Sequence, residues 1–235
     1  MKGVTLISAV ILIGVTLTAI AIIYQAGIPI IKKMQSTATV ERMKQIFLQL
    51  DDLIQQVASE GNGSRRTAYI KLGSGNLVFN GSENRIEWTF ESDAELVSPR
   101  SYIHLGNVIF GSNLDTKAYE DQYQGTDVYV LENEHLKVFF RKIGSVSSPQ
   151  EYNTTDILMA VYMKDIKEWV PLESLEISLG SEESKTGSGY TILSSTGSDL
   201  PYATLTAYMN SSQGEYYINF TLESGADFII VEGYR

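Results

Sequence analysis

The sequence predicts an α+β protein: a long N-terminal helix, apolar and then amphipathic, followed by an all-β, sandwich-like domain. Three observations predict this class. An uncharged run of 29 residues lies near the start of the chain. Apolar residues at helical spacing follow it, and 13 of the 14 tyrosines and both tryptophans come later, in short runs bounded by turn residues. At 235 residues, the chain can form one large domain or two small ones.

Composition excludes several classes of protein. With 43% hydrophobic and 20% charged residues, the chain is not a disordered one. Its mean hydropathy of −0.05 excludes a polytopic membrane protein. The absence of cysteine excludes a disulfide scaffold, a thiolate metal site and a cysteine nucleophile. A formal net charge of −10 disfavours nucleic acid as a partner, because phosphate binding needs a basic surface.

The uncharged run extends from Gly3 to Ile31. As a helix it is about 43 Å long, more than the ~30 Å hydrocarbon core of a bilayer. A cleaved signal peptide is the alternative, since Ala19-Ile20-Ala21 fits its cleavage pattern. The apolar sequence nevertheless continues for ten residues past Ala21, which favours a retained membrane helix over residues 4–31. Pro29 is expected to kink this helix or to melt it locally.

Residues 34–60 continue the helix with a different pattern. Their apolar residues recur at alternating spacings of three and four, as on one face of an amphipathic helix. This apolar seam consists of Val40, Met43, Phe47, Leu50, Ile54 and Val57. It can pack on the protein's own globular domain or pair with another helix, and both alternatives stay open. Glu60-Gly61-Asn62-Gly63-Ser64 predicts the helix end, because glycine and asparagine accept the left-handed cap conformation.

Lys2-Gly3 directly before the apolar run resembles the class III leader of archaeal type IV pilins and archaellins. The long helix before a β-rich domain is also similar to that family, although the resemblance is confined mainly to residues 1–60. It implies a leader of residues 1–3, which a prepilin peptidase-like enzyme removes by cutting between Gly3 and Val4. It further implies that the apolar helices, with small residues such as Gly14 and Ala19, bundle into a filament core.

Five Asn-x-Ser/Thr sequons follow the helix, and they matter only outside the cytoplasm. They are Asn62, Asn80, Asn153, Asn210 and Asn219. In the run 215–222, apolar and polar residues alternate, which predicts that Asn219 faces solvent. Residues 34–235 hold 15 basic and 28 acidic side chains. Such acidity suits a displayed domain that like charge keeps soluble.

Short strands at regular spacing predict a sandwich over residues 65–235. A linker at 144–153 could subdivide it, although one domain is favoured. The predicted strands are Thr67–Leu72, Leu77–Phe79, Arg85–Phe90, Tyr102–Leu105, Val108–Phe110, Asp127–Leu131, Leu136–Lys142, Ile157–Lys164, Leu175–Leu179, Tyr190–Ser194, Tyr202–Met209, Tyr216–Leu222 and Phe228–Val231.

No motif indicates catalysis, a cofactor or a metal. His104 and His135 have no zinc-ligand spacing, and no serine lies in a Gly-x-Ser-x-Gly elbow. Acidic residues 115, 120 and 121 lack the spacing of an EF-hand.

We therefore expect a structural subunit of an extracellular filament. Such a subunit is a single-pass membrane protein before assembly and a homo-oligomer afterwards. The alternative is a single-pass anchor that presents a β-sandwich binding module, as an archaellum-accessory or surface-layer-binding protein would. An enzyme on an anchor is a third, weaker expectation.

Overall fold

The structure, a computed structural model, describes residues 2–81, 83–94, 96–172, 175–178 and 180–235, with side chains from residue 7 onward. It confirms the predicted class, because one long helix, α1 (Lys2–Glu60), is followed by β-strands. The strands are β1 (Asn76–Asn80), β2 (Arg85–Thr89), β3 (Tyr102–Leu105), β4 (Val108–Gly111), β5 (Thr116–Tyr123), β6 (Thr126–Glu132), β7 (Leu136–Arg141), β8 (Gln150–Asn153), β9 (Leu158–Met163), β10 (Glu168–Trp169), β11 (Thr186–Leu193), β12 (Gly197–Leu200), β13 (Tyr202–Ser211), β14 (Gly214–Glu223) and β15 (Ile230–Tyr234).

The chain forms two compact units, each of which combines three separate segments of the sequence. The first comprises Met1–Phe79, Ile86–Leu96 and His104–Phe110, so it holds the helix and parts of the two-stranded sheets β1–β2 and β3–β4. The second comprises Asn80–Arg85, Val97–Ile103 and Gly111–Arg235. The predicted linker at 144–153 lies inside the second unit, between β7 and the end of β8.

Helix α1 is continuous through Pro29. The local melting expected there does not occur: losing one backbone donor leaves the helical bonds on either side intact. The predicted end is confirmed. The helix stops at Glu60, and Gly61 and Gly63 adopt positive φ angles of 88° and 101°. Only glycine adopts this conformation without strain from a Cβ atom.

The second unit is a β-sandwich. Strand order is β10-β9-β7-β6-β5-β12 in a six-stranded sheet and β15-β14-β13-β11-β8 in a five-stranded sheet. Side chains from both sheets form one core, in which the rings of Phe140 (β7) and Phe220 (β14) lie 5.0 Å apart. Burying each such ring stabilises the fold by about 1.5–3 kcal/mol.

The alternation predicted for residues 215–222 is confirmed on β14. Tyr216, Ile218, Phe220 and Leu222 are buried, whereas Tyr217, Asn219 and Thr221 on the other face are only half-buried. The period of two in the sequence therefore decides which face of this strand meets the core.

Two predicted strands do not form. Among the residues that the structure describes, no strand pairs with 67–72, and Tyr69 is 96% exposed. The run 175–179 is irregular as far as residue 178, and Leu179 lies outside the described residues. There the Thr154 hydroxyl donates to the Ile177 carbonyl (2.9 Å) and accepts from its N–H (3.3 Å). A side chain thus replaces the strand partner that the sequence pattern suggested.

Four strands, β5, β8, β10 and β12, were missed, and one is shifted. β5 reads as a loop because it is rich in charged and amide residues, but it buries Thr116 and Ala118. β8 falls in the predicted linker, and β12 has the composition of a turn. The last strand was predicted at Phe228–Val231 and is found at Ile230–Tyr234. In each case pairing with a neighbouring strand outweighs local composition.

Candidate assembly and display surfaces

The apolar helix segment, residues 7–31, is exposed on every side as far as residue 26. Its large side chains from Ile7 to Ile31 are between 55% and 71% exposed, except that of Ile28, which is half-buried. Its most apolar window of 18 residues has a mean hydropathy of 2.5, and none of that window is buried. By length and composition this helix can cross a membrane. A continuous apolar surface of this size requires lipid or another protein to cover it.

The two threonine hydroxyl groups in this segment are satisfied by the helix itself. Thr16 donates to the Leu12 carbonyl and Thr18 donates to the Gly14 carbonyl, each at 2.8 Å. A polar group that is already bonded costs little when it is moved into an apolar environment. The segment can therefore enter lipid or a helix bundle without leaving these donors unpaired.

The small residues singled out from the sequence lie on this exposed surface. A Cβ atom added at Gly14 has no other atom within 4 Å, and Ala19 is exposed. Neither residue is small because of a neighbour within its own chain. The described backbone is helical across Gly3 and Val4, whose side chains lie outside the description, as does Met1.

The amphipathic seam is covered at its beginning and open towards its end. Met43 is only 2% exposed, whereas Ile54 is 51% exposed. Val40, Phe47, Leu50 and Val57 are half-buried. Within the first unit, Asp51 also accepts a hydrogen bond of 3.0 Å from the Asn107 side chain, at the β3–β4 turn. Met43 is therefore covered within the chain, whereas Ile54 leaves an apolar surface uncovered.

The five sequon asparagines differ in the hydrogen bonds that their side-chain amides make. Asn62 and Asn210 are exposed. The Asn80 side chain bonds Glu83 through both of its polar atoms. Asn153 caps the short helix Thr154–Asp156 by accepting from Thr155, and Asn219 accepts from the Thr206 hydroxyl at 2.8 Å. Modification of the amide nitrogen leaves the accepting oxygen in place, so the bonds that Asn153 and Asn219 accept are compatible with a glycan. The nitrogens of Asn80 and Asn153 already donate to Glu83 and Thr186.

Three of these asparagines share one face of the five-stranded sheet with a row of tyrosines. Tyr190, Tyr208, Tyr217 and Tyr234 lie directly opposite one another on β11, β13, β14 and β15, with adjacent ring centroids 5.1–5.4 Å apart. Asn210 and Asn219 follow two of these tyrosines by two residues on the same strands, and Asn153 shares the face through its pairing with Thr186. The sequence analysis missed this tyrosine row. Its signal was a tyrosine two residues before each of two sequons.

A second aromatic group, the outer aromatic cluster, lies on the outer face of the six-stranded sheet. It consists of Tyr123, Phe139, Tyr162 and Trp169, whose neighbouring ring centroids are 4.7–5.8 Å apart. These rings help to bury Val128 and Val130 beneath them, while Trp169 itself remains 51% exposed. The cluster therefore covers a small second core and also offers an exposed indole.

Glu132 organises the charges beside this cluster. It accepts from the Tyr119 hydroxyl and from the Lys164 ammonium, each at 2.5 Å, and Lys137 lies 3.8 Å away. Burial by itself would raise the pKa of Glu132, but the bonds from Lys164 and Tyr119 outweigh it and lower that pKa. The carboxylate is thus held in its charged form as a structural acceptor.

The two histidines form no site with metal-ligand geometry. His135 has Asp165 at 2.8 Å from Nδ1 and Glu134 at 2.9 Å from Nε2. Among the residues that the structure describes, no group of three or more histidine or acidic side chains is arranged to hold a metal ion.

Comparison with known proteins gives one match. The model of a family of unknown function, DUF7289, matches residues 4–122, just over half of the chain, from the first turn of α1 into β5. No curated protein and no solved structure is significantly similar to the chain. On the extent of that match, the chain belongs to the DUF7289 family of unknown function.

Proposed function

We propose that the chain is a structural subunit of an extracellular, type IV pilus-like filament that polymerises through its apolar helix segment. The observation that carries this proposal is the exposure of that segment on all sides as far as residue 26, combined with threonine hydroxyl groups that need no water. Before assembly the segment lies in the membrane. After assembly it lies against copies of itself, with the acidic β-sandwich on the filament surface.

The free energy of burying apolar surface favours self-association of the helices when the subunit leaves the bilayer. A helix this apolar leaves lipid only if it buries the same surface elsewhere, at roughly 25 cal/mol per Å² of apolar area. Small residues let helix backbones approach closely, which increases that contact. Gly14 and Ala19 supply such positions without serving any contact inside the subunit.

A single-pass anchor carrying a binding module is the second candidate. The half-exposed Trp169 in the outer aromatic cluster supports it, since exposed aromatic rings are common anchors of binding surfaces. In that case the helix needs only adequate length and hydropathy, because lipid imposes little constraint on side-chain shape.

Substitution of the small residues separates the two functions. Gly14→Leu and Ala19→Leu place large side chains where the isolated subunit has free space, so folding and membrane insertion are retained. These substitutions should prevent filament assembly, because the close packing of helices in a filament core is sensitive to side-chain volume. Ile20→Leu, which conserves volume in the same segment, is the matched control.

The measurement is the ratio of sheared, surface-released protein to membrane-bound protein, with electron microscopy of the sheared fraction. We expect filaments from the parent and from the Ile20→Leu variant, and at least a tenfold loss with either small-to-large change. The mature chain in those filaments should begin at Val4 by peptide mass. Absence of sheared protein from the parent, or equal ratios in all variants, would favour the anchored module.

A further inference from the structure

Residues 65–72 have the character of a strand but lack a partner strand. Within the part of the chain that the structure describes, no backbone hydrogen bond joins them to another element. In the sequence, Ala68, Ile70 and Leu72 alternate with Thr67, Tyr69 and Lys71, so in an extended conformation the two sets lie on opposite sides. An extended segment with this alternation is suited to the edge of a half-buried sheet. We call it the free strand segment.

The second unit offers a regular open edge. β15 is the last strand of the five-stranded sheet and pairs on one side only, with β14. Val231 on its inner face is 45% exposed, and Tyr234 on its outer face is 47% exposed. An unpaired edge of this kind is a template for another strand. The other edges of the two large sheets are less suitable, because β10 has two residues, β8 has four and β12 carries a bulge.

Charge is complementary between the two elements. Residues 65–79 contain three basic side chains, Arg65, Arg66 and Lys71, and no acidic one. Glu232 lies on the outer face of β15, and Asp227 precedes the strand. Opposite charges on facing strands add to the stability of a pair, and they also select its register.

We propose that the free strand segment of one copy pairs antiparallel with β15 of a second copy, extending its five-stranded sheet. In one register three pairs agree at once. Lys71 lies opposite Glu232, Tyr69 extends the tyrosine row beside Tyr234, and Leu72 covers the inner-face Val231. A shift by one residue reverses the faces and loses all three pairs. This inference rests on the proposed function only in requiring that copies become neighbours.

The absence of cysteine allows a direct test. Full-length chains carrying Leu72→Cys and Val231→Cys are made together in one cell, and surface protein is treated with copper phenanthroline as oxidant. Opposed residues in an antiparallel pair lie at a Cα separation of about 4.5–5.5 Å, within disulfide range. The matched control pairs Lys71→Cys with Val231→Cys, because neighbouring residues on a strand point to opposite faces.

We expect a disulfide-linked heterodimer from the 72/231 pair and at least tenfold less from the 71/231 pair. Adding Lys71→Glu to the 72/231 pair should reduce cross-linking, and adding Glu232→Lys to that variant should restore it. Filaments without a 72/231 cross-link, or equal cross-linking by both pairs, would overturn the strand pairing while leaving the filament proposal intact. A specific cross-link between membrane-bound subunits that never form filaments would support the pairing and contradict the filament.

Discussion

Asp115, in the loop before β5, joins three parts of the second unit. Its carboxylate accepts from the Ser224 hydroxyl at 2.7 Å and from the backbone N–H groups of Gly225 (3.1 Å) and Glu134 (2.9 Å). Burial alone would raise the pKa of Asp115, but these bonds outweigh it and lower that pKa. A single carboxylate therefore holds three loops together in its charged form.

Replacement of the Asp115 carboxylate should make the free energy of unfolding less dependent on pH in the acidic range. Asp115→Asn should cost about 2 kcal/mol near neutral pH, because bonds to a charged acceptor are lost. Since the pKa is lower in the folded state, the charged group stabilises the fold above the unfolded pKa and ceases to do so as pH falls through the folded pKa. Melting of the detergent-solubilised chain from pH 7 to pH 2 should show the difference shrinking. Asp121→Asn, at an exposed position on β5, should differ little from the parent at any pH.

The sequon asparagines give a second prediction at the scale of single residues. Asn153→Gln should lower stability by about 1 kcal/mol, because the longer side chain loses the cap on Thr154–Asp156. Asn210→Gln should remove one glycan mass and leave the melting temperature unchanged, since Asn210 is exposed. Intact mass and thermal melting of both variants check this. A parent chain with no glycan at Asn210 would contradict the second half of the prediction.

At the scale of elements, helix α1 changes role along its length. From residue 7 to residue 26 its side chains are exposed, whereas Met43 of the seam is buried. The seam is therefore covered within the chain at Met43 and half-exposed at Ile54, and pairing of its end with another helix stays a prediction.

A graded series of charges tests this division. Met43→Glu should destabilise the first unit by several kcal/mol, Leu50→Glu by less, and Ile54→Glu very little, in the order of their burial. The chain has two tryptophans, so a Trp169→Phe background leaves Trp88 to report the first unit alone. Melting by Trp88 fluorescence in detergent is the measurement. Equal melting temperatures for all three variants would show that the seam is not buried in the subunit.

At the scale of the whole molecule, charge is divided between the two units. The first unit has eight basic and eight acidic residues, and the second has ten basic and twenty acidic ones. The whole net charge of −10 therefore resides on the β-sandwich and its associated loops. Repulsion between second units of like charge disfavours contacts between them, whereas the first unit has no net charge and opposes no such contact.

Interactions between neighbours along the chain determined where α1 forms, where it ends and which face of β14 is buried. An uncharged run of 29 residues, glycines after Glu60 and a strict alternation over 215–222 each act through neighbours along the chain, so the sequence alone predicts them.

Only the tertiary structure decided which segments acquire partners. The charged segment 116–123 becomes a strand because β6 and β12 pair with it, and the strand-like segment 67–72 does not because no neighbour reaches it. The tyrosine row likewise exists only once four strands align in register, since its members are far apart in sequence. Strand pairing is a contact between distant residues, and its free energy outweighs local propensity wherever an edge is available.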